Sequence, residues 1–169
     1  ILTEYEVAEV YTNRDYEPYA LKRDQEVASL LEAKDVGFYT FKDHVVFEKM
    51  EIVSGSGDFY KVFTPYSKVW RAKYEETPPT LLPDGLQMDN WIKTEPQDTH
   101  SLESMGFEKS PIKIPPANLD KDLIEKYDQT RNFPAMDATS KLGIHLRFGT
   151  ISIRELASKT AKLNWTYLN

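Results

Sequence analysis

The residues best suited to chemistry lie together in the last third of the sequence. Thr139, Ser140 and Lys141 place two hydroxyls and a cation side by side at the predicted start of a short helix that runs to Arg147. The first N–H groups of a helix have no partner within it, and the helix dipole favours negative charge there. The stretch therefore predicts an anion site of phosphate size. Thr and Ser are also the usual helix caps, so an ordinary capped helix is the competing interpretation.

Charge is distributed unevenly along the chain, which carries a formal net charge of −6 over 169 residues. Residues 1–54 contain 6 basic and 12 acidic side chains, residues 55–130 contain 9 and 13, and residues 131–169 contain 6 and 2. The overall balance is mildly unfavourable for nucleic-acid binding. The basic last segment, however, contains the predicted anion site and has the sign that a nucleotide or nucleic-acid surface requires.

Composition excludes several chemistries. The sequence has no cysteine, which rules out disulfides, thiolate catalysis and cysteine-ligated metals. His44, His100 and His145 are scattered, so we expect no metal site. The sequence contains no nucleophile or metalloprotease motif and no P-loop, and no apolar run approaches the roughly 18 residues of a membrane span. These features predict an intracellular protein without a membrane segment.

The elements that must position the site begin with an α/β part in residues 1–54. We predict a strand over Glu9–Asn13, a helix over residues 19–33 and a strand over residues 36–41, with residues 44–47 as a possible third strand. Strand, helix and strand in this order favour a parallel sheet with a right-handed crossover. One such unit is small for a domain, so we expect the chain to be an internal piece of a longer protein.

Residues 55–118 are predicted to form a connector. A helix is expected to begin at Thr64-Pro65, because proline is tolerated in the first turn. Seven of the ten prolines then lie between Pro78 and Pro116, in a segment without sustained periodicity. We expect this segment to wrap over a neighbouring surface through its apolar side chains, which are Leu81, Leu82, Trp91, Ile92, Met105 and Phe107.

Residues 119–169 are predicted to be all-helical. One helix begins at about Asp120 and ends before Phe133-Pro134, because the residue preceding a proline is pushed out of the helical region. The helix that starts at Thr139 is expected to end at Gly149.

Ser152 and Glu155 form a predicted capping box for a last helix over residues 153–163. No core partner for this helix is evident in the sequence. Its inward face is predicted to consist of Ile153, Leu156, Ala157, Thr160 and Leu163.

Three stretches, in this order, resemble the DNA photolyase and cryptochrome family. They are YTNRDYEP at residues 11–18, VFTPYSKVW at residues 62–70, and YDQTRNFPAMDATSKLG with FGTISIREL at residues 127–156. The resemblance implies a class I type photolyase of cyclobutane pyrimidine dimers. It implies that residues 1–54 end the α/β antenna domain, that residues 55–118 connect the domains, and that residues 119–169 begin the all-α FAD-binding domain.

The resemblance also implies roles for single residues. In the family, a T-S-[RK]-L-[SG] turn wraps the phosphates of FAD, and a tyrosine upstream adds a contact. The FAD-binding residues implied here are Tyr127, Thr139, Ser140, Lys141, Leu142 and Gly143. Arg131 is implied to contact a DNA phosphate, whereas the bare sequence favours an ordinary surface arginine. Lys141 replaces the commoner arginine, and Asn132 stands where aspartate is usual.

The implied activity is light-driven repair of damaged DNA by reduced FAD, with the lesion flipped out of the duplex. A folate or a deazaflavin is implied as an antenna chromophore, with no residue assigned to it. The parent is implied to be a cytoplasmic monomer. No catalytic residue is expected within the 169 residues, which should neither retain FAD nor repair DNA alone. A cryptochrome photoreceptor without repair activity and a domain without any activity remain as alternatives.

Overall fold

The α/β unit predicted at the start of the chain is present. The computed structural model describes residues 2–81, 88–93, 95 and 98–168. Strand β1 (Glu9–Asn13) pairs in parallel with strand β2 (Gly37–Phe41), and helix α1 (Pro18–Glu32) connects the two. The chain leaves α1 through Asp35, whose φ of 56° lies in the left-handed region, so that it turns back into β2.

Helix α1 forms where proline and apolar spacing favour it. Pro18 occupies its first turn, where a missing N–H has no cost. Ala20 and Leu31 are each only 3% exposed, and α1 packs on β2. The opposite side of the strands is open, because the stacked rings of Tyr11, Tyr39 and Phe41 remain about half exposed.

The possible strand over residues 44–47 is not formed. This segment is a loop that leads to a single turn of 3-10 helix at Lys49–Glu51. Its apolar side chains are used for packing rather than for strand pairing, since Val46 is buried and Phe47 meets Trp70 edge-on at 5.5 Å between ring centroids. The prediction of a third strand was therefore wrong.

The remaining elements in the described residues are helical. Helix α2 covers Phe63–Glu76, so Thr64-Pro65 falls in its first turn as predicted. The others follow the connector, which contains a 3-10 turn at Met88–Asn90. They are α3 (Lys121–Glu125), α4 (Tyr127–Thr130), α5 (Gly143–Arg147), α6 (Ile153–Ala161) and a 3-10 segment at Trp165–Leu168. No helix among the described residues is both long enough and apolar enough to span a membrane.

Local capping explains where two of these helices begin. The Asp120 carboxylate accepts the N–H of Leu123 at 3.2 Å, which starts α3, and the Ser152 hydroxyl accepts the N–H of Glu155 at 3.3 Å, which starts α6. Gly149, with a φ of 63°, follows the end of α5, as the sequence predicted.

Helix α6 does have a core partner, contrary to the expectation from sequence. Val46, Tyr74 and Ala157 form one buried cluster that joins the loop after β2, α2 and α6. The surrounding half-buried side chains are Phe47, Trp70, Ile153, Ala161, Trp165 and Leu168. Ala157 and Thr160 of the predicted inward face are buried, and Ile153, Leu156 and Leu163 are half-buried. The α/β part and the last helices therefore share a core.

In the proline-rich part of the connector, which follows α2, most of the predicted contact residues are exposed. Five of the apolar side chains that were expected to adhere to a surface are exposed, and Leu82 lies outside the described residues. The exposed ones are Leu81, Trp91, Ile92, Met105 and Phe107. One firm attachment occurs at its far end, where the Pro115 carbonyl contacts His145 of α5.

Candidate functional site

The predicted anion site is a loop rather than a helix N-terminus. Helix α5 begins only at Gly143, and Leu142 is its N-cap residue. Thr139 and Ser140 lie before it, because Lys141 adopts a left-handed conformation, with φ of 53°, that interrupts any helix. The prediction of a helix over residues 139–147 was therefore wrong for its first four residues.

The backbone of the 139–143 loop nevertheless presents donors. Lys141 is left-handed, and Leu142 is right-handed, with φ −79° and ψ −4°. Successive residues of opposite hand are the backbone arrangement of the nests that bind anions. Among the described residues, the N–H groups of residues 139–143 and the hydroxyls of Thr139 and Ser140 have no acceptor. The loop thus retains the donors that a phosphate would need.

The one cation of this loop is paired. The Lys141 ammonium lies 2.7 Å from the Asp137 carboxylate, and both side chains are at least half exposed. An exposed pair of this kind is worth about 0.2–1 kcal/mol, so it competes weakly with an incoming anion.

Leu142 and Gly143 can contribute through their backbone only. The Leu142 side chain is buried and lines a cavity of about 250 Å³ together with residues 117–119, at the end of the connector, and Ile151 and Leu156. This side chain therefore anchors the loop to its surroundings. A Cβ at Gly143 would meet nothing within 4 Å, so steric contacts do not require glycine at that position.

Tyr127 and Arg131 lie together one helical turn apart. The guanidinium carbon of Arg131 stands 5.6 Å from the centroid of the Tyr127 ring. Tyr127 is half-buried and meets Tyr167 edge-on at 5.1 Å, whereas Arg131 is exposed and has no carboxylate partner in the described chain. The sequence interpretation did not predict the contact with Tyr167. Only the aromatic type of that residue could have indicated it. No hydrogen bond, ion pair or ring contact among the described residues joins this pair to the 139–143 loop.

The motif at residues 11–18 is built into a polar network. The Arg14 guanidinium donates two hydrogen bonds to the Glu48 carboxylate, at 2.7 and 2.6 Å, and a third to the Thr40 carbonyl at 2.6 Å. The Tyr16 hydroxyl also donates to Glu48, at 2.6 Å. The bonds from Arg14, with a smaller contribution from Tyr16, lower the pKa of Glu48 from 4.5 to about 2. Burial, followed by the bond to Glu48, raises the pKa of Tyr16 to about 12. These residues therefore hold the end of β1 against the 42–51 loop.

Arg154 connects that loop to α6. Its guanidinium donates to the Lys42 carbonyl at 2.8 Å and to the Asp43 carboxylate at 3.0 Å, and the other oxygen of Asp43 accepts from the Asn13 amide at 3.0 Å. The Arg154 side chain is 20% exposed, so water screens these bonds only partly.

We expect Arg154→Ala to lower the free energy of unfolding by about 1 kcal/mol, because two charge-assisted bonds are lost. Urea denaturation of the 169-residue chain measures this. The matched control is Arg147→Ala, which removes an exposed bond of 3.2 Å to Glu17 and should cost less than about 0.5 kcal/mol. Equal losses in the two variants would contradict a specific clamp at Arg154.

The described part of the chain brings no metal-binding cluster together. Within it, no group of three or more His, Asp or Glu side chains is placed to hold a metal ion. His145 is fully engaged by protein groups.

Comparison with known proteins identifies the family. The deoxyribodipyrimidine photo-lyase of Synechococcus sp. is 34% identical over 162 residues, which is 86% of this chain and 33% of that protein. A family model described as DNA photolyase matches residues 1–84. This chain belongs to the DNA photolyase family. The photolyase of Halobacterium salinarum is 30% identical over 96% of the chain and 36% of its own length.

A solved photolyase has a similar structure. The structure of a class III photolyase from Agrobacterium tumefaciens superposes on this chain with a TM-score of 0.61 and 27% sequence identity. The match covers 93% of this chain and 35% of the Agrobacterium chain. The chain spans about a third of the length of the photolyases it matches. The class I assignment stays a prediction.

Proposed function

We propose that this chain is part of a deoxyribodipyrimidine photo-lyase that repairs cyclobutane pyrimidine dimers. In this proposal residues 1–54 end the α/β antenna domain, residues 55–118 form the connector, and residues 119–169 begin the all-α FAD domain. The similarity to photolyases over 86–96% of the chain supports the family role. The parallel β1–β2 pair and the helices after residue 119 support an α/β part that precedes an all-α part.

The 139–143 loop is proposed to bind the phosphates of FAD. The observation that carries this is the left-handed Lys141 followed by the right-handed Leu142, with the N–H groups of the loop unpaired among the described residues. Thr139 and Ser140 would add hydroxyl donors, Lys141 would exchange Asp137 for a phosphate, and Leu142 would hold the backbone in place. Tyr127, the first residue of α4, is proposed to contact the same cofactor.

Arg131 is proposed to contact a DNA phosphate. Its guanidinium is exposed, has no carboxylate partner in the described chain and is steadied by the Tyr127 ring. A planar, permanently charged fork is well suited to a phosphate in the DNA backbone. Damaged DNA is therefore the proposed partner of a monomeric, cytoplasmic enzyme.

The chemistry that bound FAD supplies is light-driven electron transfer to the flipped dimer. The residues of this chain bind and orient: the loop fixes the phosphate end of the cofactor, and Arg131 fixes the DNA strand. Arg154 joins the FAD part to the antenna part through the Lys42 carbonyl and the Asp43 carboxylate. A folate or a deazaflavin is proposed as the second chromophore, and no residue is assigned to it.

A pair of substitutions at Lys141 tests the loop in the full-length protein. Valine disfavours the left-handed conformation and should weaken FAD binding about tenfold or more, whereas glycine keeps the conformation while removing the charge and should change the affinity by less than about threefold. Fluorescence titration with FAD measures both. Equal weakening in the two variants would indicate a contact through the lysine charge and not through the backbone.

Repair itself is tested with thymine-dimer DNA under blue light. The full-length protein with reduced FAD is expected to restore undamaged thymines. Bound reduced FAD without repair would instead indicate a cryptochrome photoreceptor.

A further inference from the structure

His145 joins three segments of the chain. It lies within α5, and its Nε2 is 2.7 Å from the carbonyl oxygen of Pro115 in the connector. Its Nδ1 is 2.7 Å from the hydroxyl of Thr150, in the turn that leads to α6. The bond to Pro115 spans 30 residues of sequence. One imidazole therefore ties α5 to the chain on both sides of it.

The chemistry of the partners determines which ring nitrogen donates. A carbonyl oxygen can only accept, so Nε2 carries a hydrogen and donates it to Pro115. A hydroxyl can donate or accept, so Thr150 satisfies Nδ1 whether or not that nitrogen is protonated. The donor at Nε2 is thus the indispensable part of the connection.

Helix α5 needs such an external attachment. It covers only Gly143–Arg147, and so short a helix has no stability of its own in water. None of its five residues is buried, whereas the N-cap residue that precedes it, Leu142, is buried. The orientation of α5 therefore depends mainly on the buried Leu142 side chain at one end and on the two bonds of His145, because its third attachment, from Arg147 to Glu17, is exposed to water.

We propose that His145 is a positioning residue for the cofactor loop. By fixing α5 to the connector, it fixes the direction in which the adjoining 139–143 loop presents its N–H groups. The inference rests on the proposed role of that loop in FAD binding. His145 itself does not touch the cofactor in this arrangement; it acts through the backbone of Gly143 and Leu142.

Two amide substitutions separate the role of each ring nitrogen in the full-length protein. A glutamine amide can reach the place of Nε2 and can donate to Pro115, whereas an asparagine amide reaches only the place of Nδ1. We expect the dissociation constant for FAD to rise about tenfold in His145→Ala and in His145→Asn, and by less than about threefold in His145→Gln, since one hydrogen bond is worth up to about a factor of ten. Unchanged FAD affinity in His145→Ala, or equal loss in all three variants, would overturn the proposal.

Hydrogen exchange in the 169-residue chain tests the attachment without cofactor. The amides of Leu146, Phe148 and Thr150 donate to carbonyls of the N-cap residue and of α5 itself, at 2.9, 3.0 and 3.0 Å. Their hydrogens should exchange about five- to tenfold faster in His145→Ala than in the wild type. In His145→Gln the exchange rates should be close to those of the wild type. Unchanged exchange in His145→Ala overturns the attachment whatever the cofactor does. If the wild-type full-length protein binds no FAD, the proposed function is overturned, and the cofactor role of His145 with it. This holds even if hydrogen exchange in His145→Ala is faster.

Discussion

Glu48→Gln is expected to lower the free energy of unfolding of the 169-residue chain by about 2 kcal/mol at neutral pH. The substitution removes the carboxylate that receives two bonds from Arg14 and one from Tyr16, and it leaves the Arg14 guanidinium facing an amide. The Glu48 side chain is 12% exposed, so water replaces the lost partner poorly. Urea denaturation at pH 7 measures the difference.

The same variant should show a characteristic dependence on pH. The pKa of Glu48 is about 2 in the folded chain against an ordinary 4.5, so the unfolded chain takes up a proton first on acidification. The stabilisation is complete above pH 4.5 and is lost as the pH falls towards 2. The stability difference between wild type and Glu48→Gln should therefore shrink across that window.

The control for this prediction is Glu26→Gln in α1. Glu26 makes an exposed pair with Lys22 at 3.8 Å, and its loss should cost less than about 0.5 kcal/mol at either pH. A Glu48→Gln effect as small as that of the control, or one that does not diminish in acid, would show that the Arg14–Glu48 pair adds nothing to stability.

Ile124→Ala in α3 is expected to cost about 3 kcal/mol of unfolding free energy. Ile124 is the largest fully buried apolar side chain of the described residues, with 0% exposure. Truncation loses the transfer free energy of three carbons and leaves a cavity that the surroundings fill only in part. Thermal and urea denaturation measure the loss.

The control is the same substitution at Ile112, which is 76% exposed in the connector and should change stability by less than about 0.5 kcal/mol. Similar small losses at both positions would mean that α3 is not part of the cooperative fold.

Local sequence signals predicted most of the elements. The β1, α1 and β2 unit follows from short apolar runs around a proline-initiated helix, and α3 and α6 begin at the caps that Asp120 and Ser152 provide. These signals act between residues a few positions apart, and the sequence displays them directly.

The failures involve partners that are distant in sequence. The apolar run at residues 44–47 resembled a strand because its packing on α2 and α6 was not visible. The predicted start of α5 was four residues too early, because Lys141 adopts a left-handed conformation that a lysine, unlike a glycine, does not indicate in a sequence. The bonds from His145 to Pro115 and from Arg154 to Lys42 end on backbone carbonyls, which every residue has.

For the candidate site, the sequence supplied residue types and the resemblance supplied roles. The structure added the alternating backbone of Lys141 and Leu142, the pairing of Lys141 with Asp137, and the packing of Tyr127 on Tyr167. The assignments to FAD and DNA remain proposals that the Lys141 and repair experiments address.

The shared core of Val46, Tyr74 and Ala157 also constrains how the protein is made. A ribosome releases Ala157 about 80 residues after Tyr74, and at 5–20 residues per second this delay is about 4–16 s. During that interval Val46 and the aromatic side of α2 have left the exit tunnel without the helix that covers them. Val46 and the aromatic side of α2 therefore stay uncovered on the nascent chain until α6 is synthesised.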